Sequence, residues 1–295
     1  MNDRVIVIGS SGQVAQSLKR ITGENFYFIG RPDFDIRNTE KLKILIDEIS
    51  PSIIINASAY TFVDLAEEES EMAYEINANS IYRVAKICNE KNLPLIHIST
   101  DYVFDGNSNK PYLEDDLTNP TSVYGKSKLL GEEKLKESTN KHIILRTSWV
   151  FSEYGNNFLK TMLKLAKNNK EISVVNDQVG CPTYALNIAD AINIIVNEIL
   201  SEPNNVKYGT YHYTDSPIVS WYEFALNIFE VLKNKSNFET PIVKPIPSIE
   251  YKTKAIRPMY SVLNCDMIKE NFGIEQKDWR DCLFNCIEYN VDKIF

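Results

Sequence analysis

Tyr124 and Lys128 stand four residues apart in the run Tyr124-Gly125-Lys126-Ser127-Lys128. On a helix that spacing puts both side chains on one face, one turn apart. A free tyrosine titrates near pKa ~10 and exchanges protons poorly at neutral pH. A neighbouring ammonium favours the phenolate and is predicted to lower that value. The pair suits proton transfer at a carbonyl or carbinol oxygen, which is general acid–base chemistry. The bland alternative is an exposed tyrosine on a lysine-rich helix start. A third polar group, the Thr100 hydroxyl, lies upstream in Ser99-Thr100-Asp101-Tyr102.

These groups need a scaffold, and the first 150 residues repeat a pattern that supplies one. Apolar runs at 5–8, 26–29, 53–55, 93–99 and 142–146 read as strands. Stretches at 14–21, 40–49, 71–89 and from 124 onward read as helices. Continuous apolar strands fit a parallel sheet buried on both faces. The alternation predicts an α/β fold with a Rossmann-like, doubly wound parallel sheet. Such sheets bind ligands at the C-terminal ends of their strands, where Thr100 falls. His97 lies inside the same strand, short of that end, and reads as a packed core residue. After residue 150 the pattern loosens. Helices are predicted at 157–167, 185–200 and 220–233, the last capped by Ser220, with short strands at 172–175 and 208–214. The stretch 241–258 is polar and carries four prolines. This predicts a nucleotide-binding domain over 1–150 and a smaller α/β substrate lobe over 151–295. The segment 171–200 is a candidate to return to the first domain.

The first strand runs into Gly9-Ser10-Ser11-Gly12-Gln13-Val14-Ala15. Strand, glycine turn and helix together bring backbone N–H groups and a helix N-terminus to a dinucleotide pyrophosphate. The alternative is a tight turn with no ligand. Arg31 follows the second strand where the residue that reads the adenosine ribose is expected, and an arginine there accepts the additional phosphate of NADP. Asp33 and Asp35 stand close by, and Asp35-Ile36 is a candidate border for the adenine. The reading favours NADPH over NADH. Ala57 and Ala59, after the third strand, are small enough to let a cofactor lie against the backbone. A bound oxidised nicotinamide would add positive charge beside Tyr124.

The 295 residues, 43% hydrophobic and 24% charged, suit an ordinary globular protein of one large or two modest domains. A net charge of −8 argues against nucleic acid and anionic membrane surfaces as partners. No apolar run is long enough to span a bilayer, and the start shows no signal-peptide pattern. Cys88, Cys181, Cys265, Cys282 and Cys286 form no C-x-x-C pair. They read as reduced core thiols in a cytoplasmic protein.

Assembled, the glycine turn, Thr100 and the Tyr–Lys pair resemble the extended short-chain dehydrogenase/reductases. The chain resembles in particular the dTDP-4-dehydrorhamnose reductase family, through NASAYTFVD at 56–64, STDYVFDG at 99–106, YGKSK at 124–128, RTSWV at 146–150, GNNFLKTMLKLA at 155–166, NDQVGCPT at 176–183 and RPMYSVL at 257–263. The resemblance implies NAD(P)H-dependent reduction of a 4-keto sugar nucleotide. It implies Tyr124 as proton donor, Thr100 as a hydrogen-bond partner of the same oxygen, and Lys128 on the nicotinamide ribose. By the same resemblance Thr61, Val63, Tyr102 and Trp149 line the sugar pocket, and Arg257 meets the substrate pyrophosphate. Core packing is the alternative for Trp149, and a surface ion pair for Arg257. Related dehydratases carry glutamate where Tyr102 stands, which disfavours dehydration. Some family members share a magnesium ion between subunits through a glutamate. Ser17 occupies that position here, so no metal is carried over, and a homodimer is an expectation. Three other readings compete: a reductase or epimerase of another nucleotide sugar, a non-catalytic subunit resembling the methionine adenosyltransferase regulatory subunit, and a redox sensor of this fold.

Overall fold

Short runs rich in valine, isoleucine and leucine pair side by side to make the centre of the molecule. In the computed structural model, which describes residues 3–236 and 239–294, the chain begins β1 (Val5–Ile8), α1 (Gln13–Ile21), β2 (Phe26–Ile29), α2 (Thr39–Ile49) and β3 (Ile53–Asn56). It continues through α3 (Val63–Ala66), α4 (Ser70–Tyr74), a π-helical segment (Glu75–Asn79) and α5 (Ser80–Glu90) to β4 (Leu95–Thr100), α6 (Val123–Ser138) and β5 (His142–Thr147). The second half adds β6 (Val150–Phe151), α7 (Phe158–Asn168), β7 (Glu171–Val175), β8 (Val179–Gly180), β9 (Thr183–Tyr184), α8 (Ala185–Ser201) and β10 (Gly209–His212). Last come β11 (Val219–Ser220), α9 (Trp221–Ser236), β12 (Ile242–Ile246), α10 (Asp266–Phe272) and α11 (Trp279–Ile294).

The main sheet has six strands in the order β10-β5-β4-β3-β1-β2, all parallel. The doubly wound parallel sheet predicted from the strand–helix alternation is therefore present. Successive side chains of a strand leave on opposite faces. Val5, Val7, Ile53 and Ile55 pack under Leu18 of α1 and Ile188, Ile192 and Ile195 of α8. Ile6, Ile8 and Ile54 face Leu42 and Ile46 of α2 and Ile81, Val84 and Ile87 of α5. The order reverses at β1, which has β2 on one side and β3 on the other. A crevice opens at such a switch point.

The second half buries a core of its own, where Leu159 and Leu163 of α7 meet Phe224 and Ile228 of α9 and Trp279 and Leu283 of α11. Residue 150 nevertheless does not end the sheet. β10 pairs with β5 in register, and α8 covers the face beside α1. The segment 171–200 divides: its helix lies on the sheet, while its strand β7 pairs with β12 elsewhere. β12 falls in the proline-bearing stretch with no predicted element. Among the described residues only β7 flanks it, so Pro245 sits on an edge, where its missing N–H costs no ladder bond. The helix predicted over 71–89 is interrupted by the π-helical segment. Ser220 caps α9 as expected, accepting from Glu223 N–H (3.1 Å) while Glu223 accepts from Ser220 N–H (2.7 Å), a capping box. No helix among the described residues is long and apolar enough to cross a membrane.

Candidate active site

β4 delivers Thr100 to the C-terminal edge of the sheet. The Thr100 hydroxyl accepts from Tyr102 N–H (3.2 Å) and donates to Asp101 Oδ1 (2.9 Å). α6 starts one residue before Tyr124 because Ser122 caps it, its Oγ accepting from Gly125 N–H (3.1 Å), and Glu67 Oε1 takes Val123 N–H (2.8 Å). Gly125 is glycine for a steric reason: a Cβ there would lie 2.2 Å from Tyr102 O. The helix therefore opens hard against the turn after β4. The rings of Tyr124 and Tyr102 meet edge to face, with centroids 5.6 Å apart.

Lys128 follows one turn later and is 1% exposed. Its Nζ donates to Ile98 O (2.7 Å) and lies 3.2 Å from His97 Nε2. Thr100, Tyr124 and Lys128 are thus gathered as the sequence predicts. Their proton affinities are not. Burial holds the Tyr124 phenol well above its usual value, and it lowers the Lys128 ammonium to about 8. The expected lowering of Tyr124 by Lys128 is overruled by desolvation. Burial thus favours the protonated phenol.

Two residues missed or misread in the sequence hold this arrangement. Asn77, in the π-helical segment, accepts from Tyr60 N–H (2.8 Å) and donates to Tyr60 O (3.1 Å) and Ser127 Oγ (3.0 Å). It ties the loop after β3 to α6. Its only signal in the sequence is an asparagine on a helix face otherwise apolar. His97 is fully buried, as a core reading expects, yet it touches Lys128. The register of β4 showed its depth in the sheet but not this partner.

The crevice at β1 has the features of a dinucleotide cradle. Gly9 adopts φ 106°, and a Cβ on it would come within 2.9 Å of the Ala57 backbone. α1 begins after Gly12 with no side-chain cap, so its first N–H groups, around Gln13 and Val14, are free for an anion. Ser11 is exposed, and Ala57 and Ala59 are half-buried. The Gln13 side chain is engaged elsewhere: Nε2 donates to Val150 O (3.3 Å), and Oε1 accepts from Ser152 Oγ and Asn157 Nδ2, each at 2.8 Å. Val14 is buried in the core. Both therefore offer backbone, not side chain.

At the far end Arg31 is exposed. The Arg37 guanidinium binds both oxygens of Asp35 (2.9 and 2.8 Å) and holds that carboxyl down at about 2. Asp35 and Arg37 line an open depression of about 540 Å³ with Asn38 and Thr39. The Ile36 side chain is buried beside Phe34 and Leu42.

Thr61 is exposed and Val63 half-buried. Arg257, from the second half, pairs with Asp64 (2.6 Å) and reaches Tyr102 Oη (3.4 Å). Trp149 adopts φ 46° and stacks on Trp221, with centroids 3.4 Å apart and planes within 6°. Gly180 leaves room for it, since a Cβ there would meet the Trp149 ring at 2.6 Å. Arg257 thus has its ion pair and Trp149 its packing. Trp221 was not singled out in the sequence.

This geometry can hold a carbonyl oxygen between Thr100 and Tyr124 and deliver a proton to it. Comparison with known proteins gives the family. The family described as RmlD substrate binding domain matches residues 3–291. The dTDP-4-dehydrorhamnose reductase of Aggregatibacter actinomycetemcomitans is 44% identical over 291 residues, covering 97% of this chain and 99% of its own. The spore coat polysaccharide biosynthesis protein SpsK of Bacillus subtilis is 39% identical, covering 95% of each chain. The crystal structure of dTDP-4-dehydrorhamnose reductase from Bacillus anthracis in complex with NADP superposes with a TM-score of 0.88 at 38% identity, over 98% of this chain and 99% of that one. The chain belongs to the RmlD family, that of the dTDP-4-dehydrorhamnose reductases.

Proposed function

We propose that this chain reduces the 4-keto group of dTDP-4-dehydrorhamnose to give dTDP-L-rhamnose, with NADPH as coenzyme and Tyr124 as the acid. The observation that carries this reading is the half-buried Tyr124 and the buried Lys128, one turn apart on α6 and set against a buried Thr100, in a chain of this family. Bound NADPH supplies the hydride, which goes to the carbonyl carbon. Tyr124 gives its proton to the carbonyl oxygen, completing the alcohol. Burial keeps that proton on the phenol until it is needed. Thr100 fixes the oxygen, and Lys128 balances the tyrosinate that remains.

The uncapped start of α1 and the close approach of Gly9 to Ala57 suit the coenzyme pyrophosphate. The exposed Arg31, beside an Asp35 already neutralised by Arg37, supports NADPH over NADH. Arg257 is the cation for the substrate pyrophosphate, released from Asp64 when substrate enters. Trp149 and Tyr102, with Thr61 and Val63, bound the sugar. Five free cysteines suit a cytoplasmic enzyme.

The test is NADPH oxidation with dTDP-4-dehydrorhamnose. Wild type turns over, and Tyr124→Phe loses about 10²–10⁴-fold in kcat, the usual worth of a general acid. Equal rates in the two proteins would refute the assignment of Tyr124. Tight NADPH binding with no turnover by wild type would refute the substrate.

A further inference from the structure

The environment of Lys128 contains a hydrogen-bonding conflict that only one protonation pattern resolves. Asn56, the last residue of β3, accepts from Ser58 N–H (3.2 Å) and Ser58 Oγ (3.1 Å) through Oδ1. A backbone N–H can only donate, so Oδ1 is fixed in place. The Asn56 amide nitrogen, also near Ser58 O (3.4 Å), then points at His97 Nδ1 (2.9 Å). Turning the amide over would set donor against donor at Ser58 N–H and acceptor against acceptor at Ser58 O. His97 Nδ1 must therefore accept, which leaves the hydrogen of the neutral ring on Nε2. His97 Nε2 lies 3.2 Å from Lys128 Nζ, and Nζ already donates to Ile98 O. A charged ammonium has no lone pair to offer the Nε2 hydrogen. A neutral amine does.

We propose that His97 is a positioning residue for Lys128: locked as its Nε2–H tautomer by Asn56, it presents a hydrogen to Nζ and makes Lys128 a ready proton source for Tyr124. The inference rests on the reductase reading above. After Tyr124 has protonated the product oxygen, the Lys128 ammonium returns a proton to the tyrosinate oxygen. Nζ then accepts the His97 hydrogen, and solvent recharges the amine before the next turnover. The histidine itself neither gains nor loses a proton. Burial, with Lys128 alongside, keeps its ring from charging. Among the described residues, the other titratable groups facing Lys128 are Tyr124, one turn back, and Glu132, one turn on. Glu132 is held by Arg146 of β5 (2.7 Å) and by Lys136 at 4.0 Å. Asn56 and Asn77 are uncharged.

Two measurements test this on the full chain. The sequence holds three histidines, so imidazole ¹⁵N spectra of wild type, assigned with His97→Gln, report the tautomer directly. An Nε2–H signature is expected, and an Nδ1–H signature overturns the proposal. The second is the pH profile of kcat for Asn56→Asp. A carboxylate there keeps the Ser58 contact but accepts from Nδ1–H, turning Nε2 into an acceptor for the ammonium. The alkaline limb of the profile should move up by about one pH unit, a tenfold gain in proton affinity. A limb that stays in place, or a loss uniform across pH, overturns it. The tautomer is read without turnover, so a failure of the reductase reading is seen separately.

Discussion

Asp101 is a carboxyl in the wrong place for a carboxylate. It is 2% exposed and accepts from the Thr100 hydroxyl (2.9 Å). Burial pushes it from 3.8 up to about 7, against the pull of the Ser261 and Thr100 hydroxyls. Between those values the folded protein holds a proton that the unfolded chain has released. Stability therefore falls as pH rises from about 4 to 7 and stays lower above. Asp101→Asn should be more stable than wild type at pH 8, by at most about 4 kcal/mol, with the advantage gone near pH 4. Calorimetric melting at the two pH values checks the sign. At this scale the sequence was legible where chemistry depends on local spacing. Tyr124 and Lys128 are one helical turn apart whatever the rest of the chain does. It was not legible where a polar partner arrives from another strand. Nothing near His97 in sequence announces Asn56 or Lys128, and nothing near Asp35 says whether Arg31 or Arg37 will claim it.

The elements were read correctly where hydrophobic period and capping agree, as at α2, α6 and α9. They were misread where tertiary contact overrides the period. The run through 71–89 has helical spacing throughout, yet five residues widen to π-helix, a distortion frequent at functional sites. This turn carries Asn77 O to within 2.1 Å of where a Cβ on Gly131 would stand, so α6 lies almost on its backbone. The Asn77 side chain satisfies both backbone polar groups of Tyr60. Asn77→Ala would strand them, while the Ser127 hydroxyl keeps its bond to Tyr124 O (2.8 Å). A loss of about 2–4 kcal/mol is expected, from ~1–3 kcal/mol for each unmet buried group partly relieved by relaxation. Urea unfolding measures it. Because α6 also loses a tether, kcat should fall more than coenzyme affinity. β12 escaped notice because its proline, Pro245, argues against a ladder, and only an edge position reconciles it.

At the scale of the molecule, the halves meet at the mouth of the site. Arg257 and Lys254 of the second half clasp Asp64 and Glu68 of the first, and Ala255 N–H donates to Asp64 (3.1 Å). Arg257→Ala is expected to raise KM for the sugar nucleotide by tenfold or more, in line with ~1.5–3 kcal/mol for a charge-assisted contact, while NADPH affinity is unchanged. Steady-state kinetics beside a coenzyme titration distinguishes this from general damage. β10 has a different consequence, one that concerns how the protein is made. Thr100, Tyr124 and Lys128 leave the ribosome some 80 residues before Gly209–His212 arrive to pair with β5. During that interval β5 is an open edge, able to accept a strand from another chain. A fragment that stops at residue 150 would keep that exposed edge and lack the α8 cover over Leu18 and Ile55. The first half of this chain is therefore not a smaller enzyme waiting to be cut out. It is an unfinished sheet until its sixth strand is in place.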